Sequence, residues 1–488
     1  MVKNKIDTKH KQYLAYQSKW NRCWVAIQGE DEVKAAGSEY LYKLEGQSDD
    51  SYKSYKDRAS FYAASGRTLD GLVGLAHRKE PDSINWPASK MAYLEGVTNK
   101  KAPLVDFVRE VTNNVLGMGR FGVMLDIRPN AMANEMPFMA GYATTSIINW
   151  RLASDLQTGK EVAVMVVLRE ESEEPDPENI YSTKTVTKYR ELFIDEEGYY
   201  GVRVWENLAG SKDYMAGEVI YPFNSKQQKL TYIPFVPFNP KAPTWELVNP
   251  PILDIVNINM SHYRNSADLE HGRHFTALPT PWAAGFKVDG GSSLYIGSPY
   301  AWVSEDPGAS AGFLEYTGQG LGALENALRE KEGQMAILGA RMLEEPKRAV
   351  EATDTHRIRH AGEQSVLATV VQSIESGFNI LLGWVLDWTG QKPPTSDKLI
   401  ELNTDFDIRE ISPEMLNTLF QLLQGSSISY DTFHYNLKKG ELYPDNRTVE
   451  EELTLIDEEP IRIPSLEGAG NVDDDDDGMI DDDGMTDD

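Results

Sequence analysis

The apolar positions of this chain follow a helical period over most of its length and a strand period over one interval, which predicts an α+β fold. Up to about Ile148 the pattern is mainly helical. Tyr55, Ala59, Tyr62, Leu69, Leu72 and Leu75 fall mostly three or four apart, with a break expected at Gly66. Pro103 precedes Leu104, Phe107, Val108, Val111 and Val115, one apolar stripe that runs into Gly117-Met-Gly119 and a strand over Phe121 to Ile127.

From about Glu161 to Phe238 the pattern becomes strand-like. Val162 to Leu168 is continuous and β-rich, Val186 to Phe193 alternates, and Tyr200, Val202 and Val204 share one face. The acidic stretch Glu170 to Glu178 reads as a solvated hairpin loop between them. Together these segments predict a small antiparallel sheet flanked by helices.

The run from about Asn249 to Trp388 is the most informative. Pro251 suits the first turn of a helix in which Ile252, Val256, Met260, Tyr263 and Ala267 recur, and whose second half is polar. After His274 the period is lost through Pro279, Pro281, Gly285, Gly290-Gly291, Pro299 and Pro307, a pattern of short strands and turns. Helix resumes near Leu321, with Leu324, Leu328, Met335, Leu338 and Met342 on one stripe, until Glu344-Glu-Pro-Lys-Arg348 breaks it. Leu367, Val371, Ile374, Phe378, Leu381, Val385 and Trp388 then alternate spacings of four and three, the seam of a helix that packs along its length. Continuous from about Thr355, it would span on the order of 50 Å. Long helices whose polar faces outnumber their apolar stripes cannot all be buried in one core, so they are expected to pack against copies of themselves.

A separate helical module follows. Ser412-Pro413-Glu414 is an N-terminal helix signal, a second short helix is expected from Tyr430 to Lys439, and Thr448 with Glu451 forms a capping box for a third.

Composition narrows the function classes. The 488 residues carry a formal charge of −28, part of it in the Asp-rich stretch Asp473 to Asp488. Tight, sequence-specific nucleic-acid binding needs clustered Lys and Arg, so an acidic body argues against it while permitting a duplex to pass without sticking. Cys23 is the only cysteine, which excludes an intramolecular disulfide framework or a multi-cysteine metal site and fits a reducing compartment. Met1 to His10 is polar and no run of about twenty apolar residues occurs, so neither export nor a membrane span is expected.

Several motifs admit a sharp and a plain reading. Gly117-Met-Gly-Arg-Phe-Gly122 matches the dinucleotide fingerprint, yet it follows a helix and precedes a strand, the reverse of the order that aims a helix N-terminus at pyrophosphate; a helix C-cap and tight turn is the plainer reading. Gly318, Gly320 and Gly322 read as a flexible helix entry, and no P-loop pattern occurs. His262, His271 and His274 lack the companions of a zinc site, and between His356 and His360 an arginine replaces the glutamate of a zinc hydrolase. Asp473, Asp475, Asp477 and Gly478 open like a calcium loop, but Gly484 stands where a bidentate glutamate is needed, so a disordered acidic tail is favoured. No cofactor and no metal are expected.

The order of elements, together with several local strings, resembles the portal proteins of tailed bacteriophages. Tyr55-Lys-Asp-Arg58, Arg67 to Gly74 and Arg78-Lys-Glu-Pro81 look like that family's opening helices. Ile147-Ile-Asn-Trp-Arg151 is similar to its approach to the wing sheet, and Pro251 to Pro281 is the closest match, with Asn257-Ile-Asn259, His262-Tyr263, Ser266-Ala-Asp268 and His271. The resemblance implies a non-enzymatic ring of about twelve copies at one capsid vertex, through which DNA is packaged and ejected. It divides the chain into a helical part of the wing over 1–160, a wing β module over 161–248, a stem helix over 249–274 and a clip over 275–318. A second stem helix over 319–343, a tunnel loop over 344–353, a long wing helix and return over 354–410, a crown over 411–460 and the acidic tail over 461–488 complete it. Glu344, Glu345, Lys347 and Arg348 would then face DNA in the channel, and Pro281, Trp282, Tyr295, Tyr300 and Trp302 would lie on the docking surface of the clip. The implied partners are further copies of the chain, the terminase large subunit, a head-to-tail connector or adaptor, major capsid and scaffolding proteins, and double-stranded DNA bound without sequence preference. The implied location is the virion, with assembly in the host cytoplasm and no membrane contact.

Two other classes compete. An intracellular acidic enzyme would need a pocket of convergent polar groups. Another phage head protein, such as a shell protein, would lack the order of helix, insert, helix, loop and helix.

Overall fold

The computed structural model describes residues 5–128, 135–154, 159, 161–176, 179–207, 213–277, 280–286, 301–314, 318–343, 365–392, 398–404, 406, 413–425, 427–439, 442 and 449–458. The chain divides into two compact units, 1–406 and 407–488. The first is mixed helix and antiparallel sheet, the α+β class read from the sequence.

It opens with α1 (Lys11–Gln28), α2 (Glu30–Ala36), α3 (Asp49–Arg58) and α4 (Ala64–Ala76). The break expected at Gly66 lies earlier, where Ala59 turns extended (ψ 136°) and closes α3. Gly66 is inside α4 and serves packing instead: a Cβ there would stand 3.0 Å from the Ile27 carbonyl oxygen. The short strand β1 (Ser83–Ile84) leads to α5 (Leu104–Met118), and every member of its expected stripe is buried.

Next come β2 (Phe121–Asp126), β3 (Phe138–Ala143), β4 (Ile147–Ser154), β5 (Glu161–Asp176), β6 (Asn179–Ile194), β7 (Tyr200–Asn207), β8 (Tyr214–Ala216) and β9 (Phe235–Phe238). They form two antiparallel sheets, ordered β3-β2-β9 and β4-β5-β6-β7-β8. Two expectations are corrected. The larger sheet begins at Ile147, ahead of residue 161, because β4 pairs with β5 from Ile147↔Leu168 to Ser154↔Glu161. Glu170 to Asp176 is strand and not loop: it pairs with a strand rich in Thr and Lys, so Glu170 stands opposite Lys188 and Glu174 opposite Lys184. Cross-strand opposite charges and β-branched partners favour that ladder over the local acidic repulsion.

The remaining elements of the unit are α6 (Leu253–Ala277), the hairpin β10 (Thr280–Ala284) with β11 (Ser310–Leu314), α7 (Leu321–Arg341), α8 (Val366–Trp388) and β12 (Ile400–Glu401), which pairs with β1. Helix α8 is the core of the unit. All seven seam residues are buried, as are Val370, Leu382 and Leu386 beside them, so the helix is enclosed on more than one side. It is long and apolar enough to cross a membrane by composition, but most of it is buried inside the fold, which marks it as a core helix. It does not continue back toward Thr355: Ser365 is extended (ψ 158°) and its hydroxyl accepts from the Ala368 amide, an N-cap that starts the helix there. Phe378 meets Phe107 at 6.0 Å and Phe238 at 5.2 Å between ring centroids, joining α8 to α5 and to the smaller sheet.

The second unit contains α9 (Pro413–Gln424), α10 (Tyr430–Lys439) and α11 (Val449–Glu458), the helices expected in the separate module. Ser429 caps α10 through the Thr432 amide at 3.1 Å, whereas Ser412 and Thr448 lie outside the described residues.

Candidate assembly and channel surfaces

Helices α6 and α7 run antiparallel. Arg273 Nη2 bonds Glu325 Oε1 at 2.8 Å near one end, and His262 Nε2 meets Glu332 Oε1 at 3.2 Å further along. Gly272 permits their close approach, since a Cβ there would stand 2.6 Å from Leu321 Cδ2. The first two-thirds of α6 is anchored in the core by Ile255, Val256, Met260, Tyr263 and Ala267, and its last turns are exposed. A buried Asn259 and the Tyr55 hydroxyl, 2.6 Å from Asp268 Oδ1, fasten it to the opening helices. In contrast, α7 has one buried residue, Met335, in 21 positions. Gly333, Ala336, Ile337 and Ala340 are all exposed, Ile337 by 54%.

The pair is close to electrically balanced. Helix α6 carries Asp254, Asp268 and Glu270 against Arg264 and Arg273, and α7 carries Glu325, Glu330 and Glu332 against Arg329, Lys331 and Arg341. The acidity of the whole chain is therefore not concentrated on these helices.

Between α6 and α7 the chain forms the hairpin β10–β11, with Pro281↔Phe313 and Trp282↔Gly312 in register. Opposed residues share a face, so Trp282 lies on one side, where its indole covers Gly312, and Phe313 on the other. Trp282, Phe313 and Leu314 are all at least 45% exposed. Among the described residues the ribbon has two strands with apolar groups on both faces, and a two-stranded ribbon of that kind gains stability from being covered. Of the expected docking residues, Pro281 and Trp282 belong to this hairpin and Trp302 makes an edge contact with Phe286 at 6.2 Å. Tyr295 and Tyr300, all four expected channel residues (Glu344, Glu345, Lys347, Arg348), His356, His360 and the acidic tail lie outside the described residues.

Of the motifs with a plain alternative, Gly117 to Gly122 takes its plain reading. Gly119 is the left-handed cap of α5 (φ 73°), its amide donating to the Val115 carbonyl at 2.9 Å, and β2 follows directly. A Cβ on Gly122 would stand 2.2 Å from Phe235 Cζ, so this glycine makes room for a ring in the sheet. His262 pairs with Glu332, and His271 sits edge-on to Tyr55 and Phe275, its pKa lowered by burial first and by Arg58 second. Cys23 is buried, with burial pushing its thiol up to about 12.

One cavity has a volume of about 880 Å³. Its wall includes Asp126, Arg128, Arg190, Phe223 and Trp388. Arg190 bonds Asp126 at 3.0 Å and Glu170 at 2.7 Å, and Glu170 accepts from the Tyr142 hydroxyl at 2.6 Å. Burial raises the Asp126 carboxyl and Arg190 opposes that rise. These groups satisfy one another and tie the two sheets together. Sequence reasoning missed this network because its members are scattered over four strands.

Comparison with known proteins adds the following. Residues 251–389 match the profile of a domain of unknown function, DUF4055, nearly the same span as the helix, insert and helix run. No curated protein matches the chain. Among solved structures, a chain from the "Neck of native GTA particle computed with C12 symmetry" is similar at 13% identity and TM-score 0.34, covering 77% of this chain and 89% of that one. One from the "Virion of native gene transfer agent (GTA) particle" has 12% identity and TM-score 0.35, covering 84% and 99%. One from the "Neck of empty GTA particle computed with C6 symmetry" has 13% identity and TM-score 0.36, covering 86% and 100%. At scores this far below 0.5 the likeness transfers neither fold nor role to this chain.

Proposed function

We propose that this chain is a structural protein of the head-to-tail neck of a phage-like particle, and more specifically its portal: a non-enzymatic ring of about twelve copies that conducts DNA and docks the packaging motor and then the connector. The observation that carries the reading is the α6–hairpin–α7 device. Two antiparallel helices of 25 and 21 residues carry an exposed apolar hairpin at one end, and 12 of the 21 residues of the second helix are exposed while one is buried. Such a helix is suited to packing heterologously against neighbours, and repetition of that contact by rotation closes a ring. The near-neutral charge of the pair suits a wall past which a polyanion slides, because dense phosphate contacts would release counterions and hold the duplex. No group of the chain needs to act as acid, base or nucleophile for this task.

The test is the mass and symmetry of the purified protein, by native mass measurement and negative-stain images. A closed ring with an axial hole is expected. A chain that stays monomeric both alone and when co-expressed with its scaffolding and capsid proteins would overturn the reading. Within it, replacing Pro281 and Trp282 together by Ser is expected to leave the ring intact and abolish motor docking; normal packaging by that variant would remove the hairpin from the docking surface.

A further inference from the structure

Arg120 is the most anomalous side chain in the described structure. It follows the α5 cap, is 2% exposed, and none of its three guanidinium nitrogens has a hydrogen-bond partner in the protein. Its guanidinium carbon lies 4.2 Å from the centre of the Trp150 ring and 5.6 Å from that of Trp245, and the two indoles are themselves stacked at 6.1 Å. Cation–π contact offsets part of the cost of burying the charge, and burial still draws its pKa down to about 9.

The same indole carries a second basic ring. His10 stacks on Trp150 with centroids 4.0 Å apart and planes at 29°. Its Nδ1 accepts from the Gln12 amide at 3.2 Å, so His10 is the N-cap of α1. The segment around it lies along β4 and the turn before it: the His10 amide donates to Ile148 O at 2.8 Å, Asn149 Nδ2 to Thr8 O at 2.9 Å and the Tyr13 hydroxyl to Thr145 O at 3.1 Å.

A protonated His10 fits this place badly on three counts. Nδ1 would become a donor and lose the cap, a positive charge would stand at the positive end of α1, and it would face Arg120. The other charges nearby offer little relief. Lys9 and Lys11 are on its own segment, Arg169 on β5 is paired with Glu171, and Asp7 acts on Tyr189.

We propose that residues 5–13 form an acid-released latch over β4, with His10 as its trigger and the unpartnered Arg120 as the charge that drives it open. Burial, and then Arg120, lower the His10 pKa below 6.5 while the latch is closed. The open segment therefore binds more protons than the closed one, so the latch holds fully above about pH 6.5 and weakens as pH falls below it. Opening would bring the guanidinium and the Trp150 face toward solvent.

Hydrogen exchange of the full chain, read by mass spectrometry at pH 7.5 and 5.5 in one assembly state and corrected for intrinsic rates, tests this. The wild type is expected to lose at least about threefold protection over residues 11–16 at the lower pH. In His10→Asn, whose side chain caps without titrating, protection should be the same at both values, and Arg120→Met should shrink the response. Equal wild-type protection at the two pH values, or the same loss in His10→Asn, would overturn the latch. Should Arg120→Met fail to fold, the wild type and His10→Asn still decide the question.

Discussion

Asn259 on α6 holds Ser65 on α4, 194 positions earlier, through one oxygen: Oδ1 accepts from the Ser65 amide at 3.1 Å and from its hydroxyl at 2.8 Å. The other end of the same amide donates to Tyr62 O at 2.7 Å. One buried side chain thus satisfies the ragged start of α4 and fixes where α6 leaves the core.

Removing that amide leaves the buried Ser65 amide and hydroxyl without their acceptor and takes one of two donors from Tyr62 O, which keeps the Ala64 amide at 2.7 Å. Asn259→Leu is expected to destabilise the protein by about 3 kcal/mol, and Ser65→Ala by about 1 kcal/mol, because it removes only the hydroxyl bond. Chemical denaturation of both variants checks the ratio, and equal effects would mean that Ser65, not Asn259, organises the joint.

Gly377 lies where α8 crosses β9, and a Cβ there would stand 2.2 Å from Phe238 Cε1. Gly377→Ala normally favours a helix, yet here it should cost about 2–3 kcal/mol by forcing the ring or the helix to move. Thermal unfolding gives the sign, and a stabilised variant would show that the ring yields freely.

Glu375 is buried on α8, where its carboxylate accepts from the Leu402 amide at 2.9 Å and pairs with Lys398 at 2.9 Å. Together with Asn379, which bonds the Ile400 backbone, it holds the returning chain against the helix. Glu375→Gln can still accept from Leu402 and should cost about 1 kcal/mol, whereas Glu375→Ala should cost about 2–3 kcal/mol. Hydrogen exchange over residues 398–404 should rise in the alanine variant far more than in the glutamine one.

His77 closes α4, and burial followed by Arg109 draws its pKa from 6.5 down to about 4. Thr112 spends its hydroxyl proton on Val108 O at 2.8 Å, so His77 Nε2, 2.9 Å away, is the donor of a neutral ring. The unfolded state binds the extra proton first, so stability is full above about pH 6.5 and is lost as pH falls toward 4, by about 2 kcal/mol after discounting for partial exposure. Unfolding free energies of wild type and His77→Gln between pH 7 and pH 4 should converge at the acidic end; parallel curves would remove His77 as the cause.

Much of the fold was legible because it is local. The stripes of α5 and α8 fall on buried residues, since a helix repeats its own face every three to four positions and a core helix shows that repeat directly. The cap at Gly119 was legible for the same reason. Glu170 to Asp176 was misread because a strand is made by its partner: nothing local distinguishes an acidic loop from an acidic strand until Lys184 and Lys188 stand opposite. Gly66 was read as a breaker because its value lies in the approach of Ile27, far away in sequence.

The sequence by itself determined the α+β class, the long helices and the polar second half of α6, all consequences of side-chain period and backbone preference. Only the tertiary structure decided that α7 buries a single residue, that Asp126, Tyr142, Glu170 and Arg190 form one network, and that Arg120 is buried without a hydrogen-bond partner beside His10. These depend on contacts between residues distant in the chain, whose free energies arise only when folding excludes water from both partners at once.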